Sequence, residues 1–227
     1  MNFGAHAEYV AVAEDAVLAL KPISITYEEA AAIPFGATAS MHFLRIANIH
    51  QGQKVLIYGA SGALGSMAVQ LAKNFGADVT AVCSTSNIDL MKSLGADKVI
   101  DYTKEDFTTN GEIYDVLFDT IGKIPLRKAL RSLGKDGQLL LASAGIGTMI
   151  SGSVFSIFLS KKIVSGVIKE TAEDMNFFKQ EIEKGKLRAV IDRIYTLKQI
   201  VEAHAYVDKG HKKGNVVIAI NQSPQLS

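Results

Sequence analysis

The sequence predicts an α/β protein built on a doubly wound, six-stranded parallel sheet. Three observations predict it. Short apolar runs alternate with helical patterns through the middle of the chain, glycines close the helical segments, and a glycine-rich loop, Gly59-Ala60-Ser61-Gly62-Ala63-Leu64-Gly65, stands between a strand and a helix. Strands buried on both faces read as continuous apolar runs, and helices between them impose parallel crossovers.

The elements follow in order. Lys54–Tyr58 is a run of β formers ending in glycine. Leu64, Ala68, Leu71, Ala72 and Phe75 recur at three- and four-residue spacing, which predicts a helix from Leu64 to Phe75, closed by Gly76. Asp78–Cys83 is the next strand and Asn87–Leu94 the next helix, closed by Gly95. Lys98–Asp101, Tyr114–Thr120, Gln138–Ser143 and Lys162–Ile168 complete six strands, with a helix over Pro125–Leu133. Helices near Thr171–Lys184 and Leu197–Lys209 and a last strand, Asn215–Ile220, close the chain; the tail 221–227 reads as disordered.

The first fifty residues break this alternation. Ala7–Val12 and Val17–Leu20 read as strands, and Glu28–Ala32 and Thr38–Ile46 as helices with Pro34 and Gly36 between them. Two strands do not make an independently stable sheet. Residues 1–26, together with 212–227, therefore read as the remnant of another, mostly β domain, and residues 27–211 as the doubly wound (Rossmann) domain.

Composition narrows the partners. The formal net charge of +1 gives no electrostatic pull toward nucleic acid or an acidic membrane. The lone Cys83 excludes an intrachain disulfide and a four-cysteine zinc site, and suits a reducing cytoplasm. Residues Met1–His6 lack a basic segment followed by an apolar one, so no secretory signal is expected. The apolar stretch near Leu139 is interrupted by Ser143, Gly145, Gly147 and Ser151, so no membrane span is expected. His6, His42, His50, His204 and His211 are scattered without metal-ligand spacing, so no metal site is expected.

The glycine loop carries the chemistry. It follows a strand, opens a helix, and sits inside a strand–helix–strand unit, the context of a dinucleotide pyrophosphate site. Gly59 permits the tight turn, Gly62 lets a pyrophosphate approach the backbone, and Gly65 lets the helix pack on the strand. Ser61, Gly62 and the backbone N–H groups of Ala63 and Leu64 face the phosphates, aided by the helix dipole. An NAD site carries an acidic residue at the end of the second strand. Here that place reads Cys83-Ser84-Thr85-Ser86-Asn87, without a carboxylate. Ser84, Thr85 and Asn87 thus favour NADP(H) over NAD(H), although the segment has no arginine or lysine to neutralise a 2′-phosphate.

With these segments in view, the chain resembles the medium-chain dehydrogenase/reductase superfamily, and within it the zinc-independent quinone oxidoreductase branch. The resemblance is carried by the Gly59–Gly65 loop, by Tyr27-Glu28-Glu29-Ala30-Ala31-Ala32-Ile33-Pro34, and by Leu94-Gly95-Ala96-Asp97-Lys98-Val99-Ile100-Asp101-Tyr102, and runs from about Gly4 to Ile220. It implies that Thr38, Thr120, Ile121, Ser143, Ala144 and Gly145 approach the cofactor. It also implies that Tyr102 lies beside the adenosine phosphate, that Asn87 occupies an often basic position, and that Lys213-Gly214-Asn215 closes over the nicotinamide end. The neighbourhood Ile33-Pro34-Phe35-Gly36 lacks the cysteine or acidic ligand of zinc-dependent relatives, so no zinc is expected. The resemblance further implies that most of an N-terminal catalytic lobe lies outside this chain, and that a homodimer forms through the edge strand 162–168.

The implied activity is NADP(H)-dependent hydride transfer to a quinone or an α,β-unsaturated carbonyl, or the cofactor-binding portion of such an enzyme. The alternatives are a non-catalytic dinucleotide-binding module and a zinc alcohol dehydrogenase relative. No catalytic residue is assigned: Tyr58, at the end of the first strand, and His42, beside Phe43 and Leu44, both read as packing residues.

Overall fold

The structure, a computed structural model, describes residues 5–143 and 161–220. The chain forms two compact units, Met1–Pro34 with Thr171–Ser227, and Phe35–Glu170. These compact units divide after residues 34 and 170.

The Phe35–Glu170 unit holds the sheet. Its strands are β1 (Lys54–Tyr58), β2 (Asp78–Cys83), β3 (Lys98–Asp101), β4 (Tyr114–Asp119), β5 (Leu133–Leu141) and β6 (Lys162–Ser165). They lie in the order β3-β2-β1-β4-β5-β6, and every pairing is parallel. The order reverses between β1 and β4, which opens a crevice at the carboxyl ends of those strands. Among the described residues, four α-helices belong to this body: α2 (Pro34–Ile46), α3 (Ala63–Asn74), α4 (Ile88–Ser93) and α5 (Leu126–Arg131).

Both faces of the sheet are buried because its strands carry few polar residues. On one face Leu56, Leu117 and Leu139 pack with Ala129 and Leu130 of α5. On the other, the Phe118 ring meets Phe43 of α2 with centroids 5.4 Å apart, and both side chains are fully buried. The six-stranded parallel sheet is the one expected, and β6 is its edge.

The second unit is smaller and less covered. It contains α1 (Tyr27–Ala31), α6 (Ala172–Glu183), β7 (Ile191–Thr196), α7 (Ile200–Asp208) and β8 (Asn215–Ala219). Strands β7 and β8 form a two-stranded parallel sheet. Thr26 caps α1 through a capping box with Glu29, and Thr171 caps α6.

Several elements depart from the sequence pattern. The expected strands Ala7–Val12 and Val17–Leu20 do not form; Tyr9 and Leu20 are 90% and 82% exposed, and among the described residues no strand pairs with them. Helix α2 starts at Pro34, which needs no N–H in a first turn, and runs through Gly36, where a Cβ would stand 2.5 Å from the Ala63 carbonyl oxygen. The expected break was instead a close helix contact. Strand β5 begins five residues early, with its register shifting between Tyr114 and Val116. Strand β6 stops at Ser165, before Gly166, and Val167 is 92% exposed. Strand β7 was not expected at all, because its half-exposed residues give no apolar run.

Candidate functional site: the crevice between β1 and β4

The loop after β1 is fixed by its own backbone. Gly59 has φ +77°, the left-handed region that favours glycine, and a Cβ there would meet Ile121 Cγ2 at 2.7 Å and Thr120 Oγ1 at 2.8 Å. The Gly62 N–H donates to Gly59 O at 3.1 Å, and Ala60 N donates to Val82 O at 3.1 Å. A Cβ on Gly65 would strike Gly59 O and lie 2.7 Å from Ala60 Cα, so α3 packs against the turn only as glycine.

Gly62 differs from its neighbours. Its φ of −75° is open to any residue, and a Cβ would find nothing nearer than Gly59 O at 3.5 Å. Neither backbone nor neighbours call for glycine there. The space beside Gly62 is open, and as the N-cap of α3 it offers no side chain to the first-turn N–H groups.

Helix α2 braces this turn from behind. Ser40 Oγ donates to Leu64 O at 2.9 Å, and Gly36 abuts Ala63. Between them, Thr38 is only 3% exposed, and its Oγ1 finds no hydrogen-bond partner in the structure. A buried, unpartnered hydroxyl costs about 1–3 kcal/mol unless something accepts or donates to it. The resemblance implies that Thr38 approaches the cofactor; the structure leaves its buried hydroxyl without a protein partner.

Across the crevice, the β4 loop is organised by Asp119, which sequence reading missed. Its buried carboxylate accepts from Ile121 N (3.0 Å), Gly122 N (2.8 Å) and Ile124 N (3.0 Å). Thr120 Oγ1 donates back to Tyr58 O at 2.8 Å, and Ile121 is 42% exposed. Gly122 (φ +69°) brings the loop against β5, where a Cβ would lie 2.5 Å from Ser143 O. Asp-x-x-Gly at the end of an apolar run was the available signal. Thr120 and Ile121 thus meet the Gly59 end of the turn, while Ser143 lies against Gly122; Ala144 and Gly145 lie outside the described residues. Asn215 belongs to the other unit, where its Nδ2 donates to Val190 O at 3.3 Å.

At the end of β2, Asn87 Nδ2 donates to Ser84 Oγ at 3.0 Å, and Ser84 Oγ stands 3.3 Å from Ser86 Oγ. Thr85 Oγ1 instead donates to Asp101 Oδ2 at the end of β3. With Thr103 as a second donor, these bonds hold the Asp101 carboxyl down to a pKa of about 2. Tyr102 is half exposed, its N–H bonded to Cys83 O at 3.1 Å. Burial, then the charge of Asp119, pushes the Tyr58 phenol up, and its ring packs on Phe107 at 5.8 Å. His42 Nδ1 accepts from Lys169 N at 3.4 Å, and its ring meets Phe43 edge-on at 5.3 Å. Cys83 is buried, with its thiol raised to about 11 chiefly by desolvation. Among the described residues no three His, Cys, Asp or Glu side chains converge as metal ligands would. None of the described helices is long and apolar enough to cross a membrane.

A parallel sheet in this strand order, with a glycine turn at its switch point, defines a dinucleotide-fold domain of the dehydrogenase class. The family model described as "Zinc-binding dehydrogenase" matches residues 94–218. The chain belongs to that family. It is 34% identical over 221 residues to an NADPH-dependent alkenal/one oxidoreductase of Arabidopsis thaliana, covering 96% of this chain and 53% of the relative. Two solved structures are similar. One is a quinone oxidoreductase from Coxiella burnetii, with TM-score 0.81 and 26% identity, covering 88% of this chain and 63% of that one. The other is an NAD-dependent alcohol dehydrogenase, with TM-score 0.82 and 28% identity, covering 96% and 66%. The chain spans about half the length of the curated relatives it matches first.

Proposed function

We propose that the chain is the cofactor-binding part of an NADP(H)-dependent reductase that transfers hydride to a quinone or an α,β-unsaturated carbonyl. The observation that carries it is Gly62, a glycine that neither φ nor any neighbour requires, at the mouth of a turn built to face a pyrophosphate. The orphaned Thr38 hydroxyl supports it, and so do relatives and neighbours whose names include an NADPH-dependent alkenal/one oxidoreductase and a quinone oxidoreductase.

In this reading the bound nicotinamide supplies the hydride, and the protein's part is placement. The N–H groups of Ala63 and Leu64, with Ser61, hold the pyrophosphate. Thr38 and the Thr120–Ile121 loop seat the ring end, with Ser143. Ser84, Asn87 and Tyr102 take the adenosine end, and Thr85 acts behind them by holding Asp101. Residues 1–26 and 212–227 are proposed to belong to a substrate lobe whose remainder lies outside this chain, zinc takes no part, and the working form is a cytoplasmic homodimer paired through 162–168.

Fluorescence titration of NADPH and NADH tests the binding reading: NADPH is expected to bind more tightly. Gly62→Asp should abolish binding while leaving the melting temperature within a few degrees. Equal affinity for both cofactors would overturn the NADP(H) assignment. Turnover of a quinone or enone with NADPH is expected once the chain is extended N-terminally. Cofactor binding without turnover across a quinone and enone panel in that form would favour a non-catalytic module.

A further inference from the structure

The end of β2 lacks a cation of its own, yet the fold delivers one from β3. Cys83 pairs with Asp101 in the β2–β3 ladder, and Tyr102 N extends that pairing to Cys83 O at 3.1 Å. The chain then turns, with Lys104 N and Glu105 N both donating to Asp101 O, at 3.0 and 2.9 Å. The turn lays Lys104 back along the strand end, its Nζ 3.6 Å from Asp101 Oδ2.

The Asp101 carboxylate is engaged at both oxygens. Oδ1 accepts from Thr103 N at 3.0 Å and Thr103 Oγ1 at 2.7 Å, and Oδ2 accepts from Thr85 Oγ1 and faces Lys104. A carboxylate has about four acceptor sites; three are taken by hydrogen bonds, and Lys104 stands beside the fourth. Its side chain is 9% exposed, against 68% for Lys104. The acid is turned inward, and the lysine side chain, whose ammonium carries three donors, is mostly exposed and stands beside the same Asp101 oxygen that Thr85 bonds. That oxygen thus links the Ser84–Asn87 turn, through Thr85, to the lysine.

Resting on the NADP(H) reading above, we infer that Lys104 supplies the positive charge of the 2′-phosphate subsite, in place of a basic residue at Asn87. Ser84, Ser86 and Asn87 then provide neutral donors, and Lys104 provides the charge that separates NADPH from NADH.

NADPH and NADH are titrated into the wild type, Lys104→Gln, Lys104→Glu and Lys104→Arg, with a thermal melt of each to confirm folding. Lys104→Gln should weaken NADPH about tenfold, the low end for a hydrogen bond to a charged group at an exposed site, and change NADH less than about twofold. Lys104→Glu should weaken NADPH further, and Lys104→Arg should keep the preference. An unchanged NADPH affinity in Lys104→Gln, or equal losses for both cofactors, overturns the inference while leaving the binding reading intact. A wild type that binds neither cofactor overturns both.

Discussion

The two units bury their strands differently. In the Phe35–Glu170 unit, β2 reads buried from Val79 to Cys83 and β4 from Val116 to Asp119. In the other unit, β7 has no fully buried residue and β8 only Val217. Leu20, Ile23 and Val201 there are 82%, 99% and 77% exposed, and an apolar cavity of about 130 Å³ lies among Leu20, Ile25, Ile33, Met175 and Phe178. A parallel sheet with helices on both faces completes its own core; a two-stranded sheet cannot. The exposure of Leu20 and Ile23 supports the proposal that residues 1–26 belong to a larger lobe.

The contrast can be broken by mutation. Phe118→Ala, at a fully buried ring, should cost about 3–5 kcal/mol and be read as a large fall in denaturation midpoint. Gly65→Ala should cost about 2 kcal/mol, since backbone atoms cannot yield to the new Cβ. Ile194→Ala in β7, at 53% exposure, should change stability by under about 0.5 kcal/mol. A loss there as large as at Phe118 would show that the smaller unit has a core of its own kind.

The smallest effect is a pH dependence confined to the sheet body. The Asp101 pKa is depressed to about 2, so its contribution is fully present above the unfolded value of about 4. It is lost as pH falls through about 2. Asp101→Asn should flatten the acid limb between those values, followed by circular dichroism. An unchanged limb would assign it to other carboxylates, such as Asp106, held at about 2 chiefly by Lys128.

The six strands were legible because apolar runs, helical spacing and closing glycines agreed at every step. β7 was not, since Ile191-Asp-Arg-Ile-Tyr-Thr mixes charges into a strand that has a partner on only one side. Tyr9, Val10 and Val12 read as a strand from residue type alone, but β propensity is a statement about packing, and all three stay more than half exposed. Within the site, the Gly59–Gly65 turn was visible as a pattern, whereas the roles of Asp119, Asp101 and Lys104 depend on bonds between strands distant in sequence. Thr85 was read as a phosphate donor, and only the register of β2 with β3 shows that its proton is directed at Asp101.

The Gly59 carbonyl oxygen is shared: it accepts from Gly62 N and from Thr120 Oγ1 at 3.2 Å, with Gly65 pressed against it. A turn tied this way is set during folding, before any ligand arrives. Little ordering entropy then remains to be lost on binding, and the heat capacity change should reflect buried ligand surface alone. Ligand occupancy would also feed directly into melting: at one hundred times its Kd, a cofactor adds about 2.7 kcal/mol to the folded state. That makes the upward shift in melting temperature a readout of the turn itself, usable in any variant that still folds.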